Sequence, residues 1–278
     1  MIIWLAGGGR SINKSLVQDQ FGAHAAAYVT STVHAKGASL ARLVELVQPE
    51  KHWQALDVAT GAGHTALAFA PYVARVIASD LTQPMLDEAA KLAVAKGIAN
   101  LETALADAEA LPFADARFDL VTCRIAPHHF PDIPTFVSEV ERVLKPGGTF
   151  ALADNIEPDA ESTPGFVPIE LRDAALIYNT FERMRDPSHS RCLGMTEWSE
   201  LIEDAGLRIV HKERAPKEME FEPWATRMGC SGPTLERLRS ILLEASLALK
   251  AFLRPRSEGD VLFFTLDEAI IIARKPAA

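Results

Sequence analysis

The chain has 278 residues, 48% of them apolar and 23% charged. These are ordinary globular proportions, unlike those of a disordered, collagenous or coiled-coil chain. Its 37 acidic residues against 28 Lys and Arg give a formal charge of −9, and its longest basic run is Arg274-Lys275. That excludes the clustered cations that a nucleic acid or an anionic membrane surface would need.

Residues 1–12 hold apolar Met1–Ala6 and then Gly7-Gly8-Gly9-Arg10. The run is too short for a signal-peptide core, and the glycines lack the Lys-Ser/Thr ending of a phosphate loop, so a flexible extension is expected. Residues 13–48 read as helical, with Leu40, Leu43, Val44 and Val47 on one face and Pro49 as the stop. Strand and helix signals then alternate. Strands are predicted at 53–58, 75–79, 101–106, 118–123 and 149–153. Helices are predicted up to Ala70, over 84–96 and over 133–144, the last ended by Pro146-Gly147-Gly148. This rhythm predicts βαβ units and a parallel sheet, whose ligands bind at the carboxyl ends of the strands.

Residues 155–195 break the rhythm with Pro158, Pro164 and Pro168, a helix near 170–184 and the polar run Arg185-Asp186-Pro187-Ser188-His189. A helix over 196–205 follows, N-capped by Thr196 and closed by Gly206. Then come a strand at 207–211, helices at 221–228 and 234–253, and two strand-like runs, 261–266 and 269–273, joined at Asp267-Glu268. Cys123, Cys192 and Cys230 have no metal-ligand spacing and read as free thiols of a reducing, cytoplasmic compartment. No apolar run approaches the roughly 20 residues of a membrane span.

The strongest local signal is Leu56-Asp57-Val58-Ala59-Thr60-Gly61-Ala62-Gly63-His64-Thr65, a strand entering a glycine loop that opens a helix. Gly61 to Ala66 fits the relaxed dinucleotide pattern, which alone is weak, and a plain strand-to-helix turn reads the same. The surrounding acids narrow the choice. Asp57 would repel a pyrophosphate but suits a ligand with an ammonium and a sulfonium. Asp80 ends the second strand, where it can accept both ribose hydroxyls. Asp107, followed by Ala108, ends the third, where it can accept from an adenine amine.

These pieces, together with Asp80–Leu86, Asp107–Phe113, Phe118-Asp119 and Val143–Gly148, resemble the class I S-adenosylmethionine-dependent methyltransferases, in particular the ubiquinone/menaquinone-biosynthesis C-methyltransferase subgroup. The resemblance covers about residues 18–155 well and the rest loosely. It implies a Rossmann-like, seven-stranded, mostly parallel sheet with helices on both faces, an antiparallel last strand near 261–273 and a helical cap. Residues 13–278 would be one domain: a helical cap at 13–48, the cofactor core at 49–154, a cap insertion at 155–195 and the rest of the sheet with cap helices at 196–278. The cofactor would be S-adenosyl-L-methionine, leaving as S-adenosyl-L-homocysteine, with no metal. Ala59, Thr60, Gly61 and Gly63 would hold its methionine part, beside Asp57 and the Arg124 backbone. Asp80 would bind the ribose, with Leu81 against the adenine. Asp107 and Ala108 would contact the adenine edge, and Met85 and Glu109 would also belong to the cofactor site.

Methyl transfer from a sulfonium needs positioning and desolvation first, and a general base when the acceptor is an OH, NH or acidic carbon. His128 and His129 follow the fourth strand and titrate in a useful range, although a structural role for them fits equally. Phe21 and Tyr28 lie in a segment that folds over the cofactor in such proteins. Arg185 and His189 could wall an acidic or carbonyl acceptor, or form a surface turn. Phe221, Trp224 and Met228 make a helical stripe that reads better as core than as a lid. The expected partner is a small-molecule methyl acceptor, quinone-like or another carbon or oxygen acceptor, with no nucleic acid. A nicotinamide-dependent oxidoreductase and a non-catalytic adenosyl-binding module are the competing readings.

Overall fold

The computed structural model describes residues 14–18 and 37–277. Phe21, Tyr28 and the extension at 1–12 lie outside them. The sheet runs in the order β3-β2-β1-β4-β5-β8-β6, with a short β7 paired to β8. Its strands are β1 (Gln54–Val58), β2 (Arg75–Asp80), β3 (Leu101–Leu105), β4 (Phe118–Arg124), β5 (Leu144–Asn155), β6 (Arg208–Glu220), β7 (Arg256–Glu258) and β8 (Val261–Arg274). Pairing is parallel from β3 to β5. β8 runs antiparallel to β5: the Gly147 amide bonds the Lys275 carbonyl, and further along β5 the Ile156 amide bonds that of Asp267. The expected sheet is therefore present, with β7 as an added hairpin arm.

Residue chemistry accounts for the elements around the first strands. β1 is buried along Ala55–Val58, as a parallel strand covered on both faces requires. β3 is the exposed edge, with Leu105 at the surface. The helix Ile133–Val143 buries Ile133, Phe136, Val137, Val140 and Val143, a 3.6-residue stripe, and Asp132 caps it by accepting from the Thr135 amide at 3.2 Å. The helix Gln83–Ala95 has Pro84 in its first turn and buries Met85, Leu86, Ala89 and Ala93.

Contacts divide the chain into two compact units. The first comprises residues 1–154, 201–213 and 270–278, and the second comprises residues 155–200 and 214–269. The first unit is built on the β1–β4 core. The second has its own aromatic core, in which Phe181 stacks on Trp224 at 4.8 Å and Phe264 meets both rings edge-on.

Several predicted boundaries move. β5 starts at Leu144, so Pro146-Gly147-Gly148 lies inside a strand, and β6 runs on from Arg208 to Glu220. Thr196 is not an N-cap: its helix begins at Met195, and the Asp159 carboxylate accepts from the Thr196 amide at 2.7 Å. The predicted helix at 234–253 is two, Gly232–Glu244 and Leu247–Leu253, the second capped by Ser246. Asp267 and Glu268 do not interrupt β8. Both are buried, with Arg254 at 2.5 Å and Arg214 at 3.4 Å from Asp267, and Lys217 at 3.1 Å from Glu268. These counter-ions let two acids remain in a buried strand. All three cysteines are buried and none forms a disulfide.

Candidate functional site

The loop after β1 is held by the acid that precedes it. Asp57 Oδ2 accepts from Thr60 Oγ1 at 2.5 Å and from the Ala66 amide at 3.1 Å, while Oδ1 accepts from Thr122 Oγ1 at 2.6 Å. One carboxylate thus ties the loop, the start of the helix His64–Phe69 and strand β4 together. Asp57 is 1% exposed, and burial, opposed by these hydrogen bonds, pushes its carboxyl up to about 6. Its hydrogen bonds hold the loop, the helix start and β4 together. A role against a ligand ammonium would be electrostatic, through the field of a buried charge.

The loop turns through three left-handed residues: Ala59 at φ 52°, Gly61 at φ 54° and Gly63 at φ 85°. A Cβ on Gly63 would lie 2.8 Å from the Ala89 Cβ, so glycine permits the helices to pack there, whereas Gly61 faces open space. Asp80 braces the loop from the next strand. Its Oδ2 accepts from the Gly61 amide and its Oδ1 from the Thr82 amide, both at 2.9 Å. Burial raises its pKa and those two amides oppose the rise.

Leu81 follows, partly exposed, and Met85 is buried. Past β3, Asp107 Oδ1 accepts from the Glu109 amide at 3.0 Å, and Glu109 Oε1 accepts from the Asp132 amide at 2.8 Å. Ala108 lies between them, half-buried. Lys14 reaches both acids, with Nζ 2.6 Å from Asp107 Oδ2 and 2.6 Å from Glu109 Oε2. Burial lowers the Lys14 pKa, but the two carboxylates more than offset it and the net shift is upward.

Arg124 ends β4 with a buried side chain. Its Nε donates to Thr65 Oγ1 at 3.2 Å and Nη1 approaches Ser39 Oγ at 3.5 Å. The next residue, Ile125, takes φ 53°, and its amide bonds the Ala153 carbonyl. The short 3-10 turn Pro127–His129 brings the two histidines together, ring centroids 4.2 Å apart and both buried. His128 is gripped twice by Asp154: its amide donates to Oδ2 at 2.9 Å, and Nδ1 meets Oδ1 at 2.6 Å. A carboxylate there selects the tautomer with the proton on Nδ1 and the lone pair on Nε2. No sequence signal was drawn for Asp154. It ends β5 as Asp57, Asp80 and Asp107 end or follow earlier strands, so the same rule of acids at strand ends would have found it.

Arg185 and His189 belong to the second unit and are not part of a surface turn, since Asp186, Ser188 and His189 are all buried. Arg185 lies 4.5 Å over the Trp224 ring and donates to the Trp224 carbonyl. His189 Nε2 donates to Asn179 Oδ1 at 2.9 Å, while Asn179 Nδ2 donates to Glu157 at 2.6 Å. Asn179 was not expected; its helix position gave no signal. Trp224 and Phe221 are core, as their spacing suggested.

This donor and acceptor set fits an adenosyl sulfonium cofactor. Asp80 ends β2, Asp107 and Glu109 follow β3, the loop is braced by Asp57 and Asp80, and Asp57 is a buried acid. Among the described residues no cluster of His, Cys, Asp or Glu could hold a metal ion, and no helix is long and apolar enough to cross a membrane.

A model of the methyltransferase domain matches residues 56–152. The uncharacterised methyltransferase YcgJ of Bacillus subtilis is 34% identical over 226 residues, 81% of this chain and 85% of that one. The crystal structure of YcgJ superposes with a TM-score of 0.76 at 32% identity, covering 86% of this chain and 99% of that chain. The ubiquinone/menaquinone biosynthesis C-methyltransferase UbiE of Brucella anthropi is 40% identical over 119 residues, 41% of this chain and 44% of its own. A Haemonchus contortus phosphoethanolamine N-methyltransferase, solved with phosphomonomethylethanolamine and S-adenosylhomocysteine, shares the fold at a TM-score of 0.60 and 17% identity, covering 98% of this chain and 61% of that one. The chain belongs to the class I S-adenosylmethionine-dependent methyltransferase family.

Proposed function

We propose that the protein methylates a small-molecule carbon or oxygen acceptor that carries an ionisable proton, a quinol-like ring being one member of that class. The observation that carries the reading is the His128–Asp154 pair beyond the carboxyl end of β4, on the sheet whose preceding strand ends carry Asp57, Asp80 and Asp107. The similarity to UbiE supports a carbon acceptor, and the charge of −9 argues against RNA or DNA.

S-adenosylmethionine, when bound, supplies a methyl group on a sulfonium, already a good leaving group. What remains for the chain is to bind, align and dehydrate the reactants. Loop residues Ala59–Gly63 would hold the methionine part, Asp80 the ribose and Asp107–Glu109 the adenine edge. His128 Nε2 would take the acceptor's proton as the new bond forms. Asp154 would keep the ring in that tautomer and stabilise the imidazolium.

The test is release of S-adenosylhomocysteine across a panel of phenols, quinols and acidic-carbon acceptors. His128→Asn should lower kcat by about 10²–10⁴ with little change in S-adenosylhomocysteine affinity. Full activity in that variant would remove His128 from the reaction. Failure of the whole panel would favour a non-catalytic adenosyl-binding module.

A further inference from the structure

Lys14 and Gln18 are four residues apart in the helical segment 14–18, so both side chains leave one helix face. Both reach residues that follow neighbouring strands. Lys14 Nζ holds Asp107 and Glu109, each at 2.6 Å, after β3, and Gln18 Nε2 donates to the Leu81 carbonyl at 3.3 Å, after β2. β2 and β3 are paired neighbours in the sheet, with Asp80 opposite Leu105. The segment therefore bridges the ends of two adjacent strands. Its ammonium also occupies the carboxylate that the adenine amine would use. The Lys14 and Asp107 side chains are only 26% and 31% exposed, so the pair is partly shielded from solvent.

We propose that residues 14–18 form an electrostatic latch across the adenosine end of the cleft, fastened by Lys14 and released to admit or discharge the cofactor. The proposal rests on reading Asp80, Leu81 and Asp107–Glu109 as the adenosine pocket. A neutral adenine amine cannot replace an ammonium between two carboxylates, so each exchange of cofactor has to break two ion pairs first. Such a latch sets rates, and because it is ionic and partly exposed, salt loosens it.

Lys14→Met keeps the length of the side chain and removes the charge. Two measurements on the full chain test it. In ligand-free protein, hydrogen exchange at the amides of residues 15–18 should be about fivefold faster in the variant, the loss expected from partly exposed ion pairs. By stopped flow, S-adenosylhomocysteine should associate and dissociate about fivefold faster in the variant. The wild type should approach those rates between about 0.05 M and about 0.5 M salt, while the variant changes little. Equal amide exchange in the two proteins would overturn the latch, and so would equal, salt-independent ligand rates. If neither protein bound S-adenosylhomocysteine, the pocket assignment would fall instead, and amide exchange alone would decide whether Lys14 fastens the segment.

Discussion

Asp57 shows how one buried carboxylate can organise a site without being at its surface. Its three hydrogen bonds give Asp57→Ala a cost of about 1–3 kcal/mol for the donors left unsatisfied. Its titration also carries a sign. With the folded pKa raised to about 6 from 3.8, the folded chain keeps a proton that the unfolded chain has lost. This group's contribution to stability therefore falls as pH rises from about 4 to about 6. Thermal unfolding of wild type and Asp57→Asn across that range should show the wild type losing ground as pH rises; parallel curves would mean that Asp57 titrates normally. Asp80 makes the sharper ligand prediction. Asp80→Ala should remove most of the S-adenosylhomocysteine affinity, because the ribose hydroxyls lose their acceptor. Asp154→Asn should shift the pH–rate profile rather than the cofactor affinity, since it alters the basicity and tautomer of His128.

The glycine loop carries the predictions at the scale of an element. Gly63→Ala places a Cβ 2.8 Å from Ala89 at a left-handed position and should cost about 1–3 kcal/mol in chemical denaturation. Ala59→Gly should be close to neutral, because relief of the left-handed alanine offsets the added freedom of the unfolded chain. A large loss at Ala59→Gly would show that the alanine methyl packs against something the loop needs. The helix Ala38–Val47 is tied to β6 by Arg42 and Glu213 at 2.8 Å, and the guanidinium holds the Glu213 carboxyl down to about 2. That depressed pKa contributes stability above about 4.5 that is lost as pH falls towards about 2. Arg42→Ala should therefore flatten the acid limb of the Tm–pH curve.

Elements were legible where local signals agreed. β1 and the helix Ile133–Val143 show burial periodicity together with a loop or a cap, and they stand within a residue of their predicted positions. Those that moved were governed by partners distant in sequence. Thr196 looks like a cap until Asp159, 37 residues earlier, takes its amide. Asp267-Glu268 looks like a turn until Arg254, Arg214 and Lys217 neutralise it.

Across the whole molecule, the acidity has two meanings. As a total of −9 it predicts that the protein will not retard RNA or duplex DNA in a mobility-shift assay at physiological salt; a specific shift would overturn the small-molecule reading. As a pattern it places Asp57, Asp80, Asp107 and Asp154 at or just beyond strand ends, where the proposed site is read. The strand ends and the glycine loop were readable from sequence because both signals are local. Lys14 was not readable, since it is a lone cation 93 residues from Asp107, and although the strand-end rule reaches Asp154, its pairing with His128 depends on the order of the strands. The most direct test of the account is calorimetric titration of the chain with S-adenosylhomocysteine and, separately, with NAD. S-adenosylhomocysteine should bind at low micromolar or tighter, about −8 kcal/mol, and NAD should not bind. Binding of NAD without S-adenosylhomocysteine would contradict it.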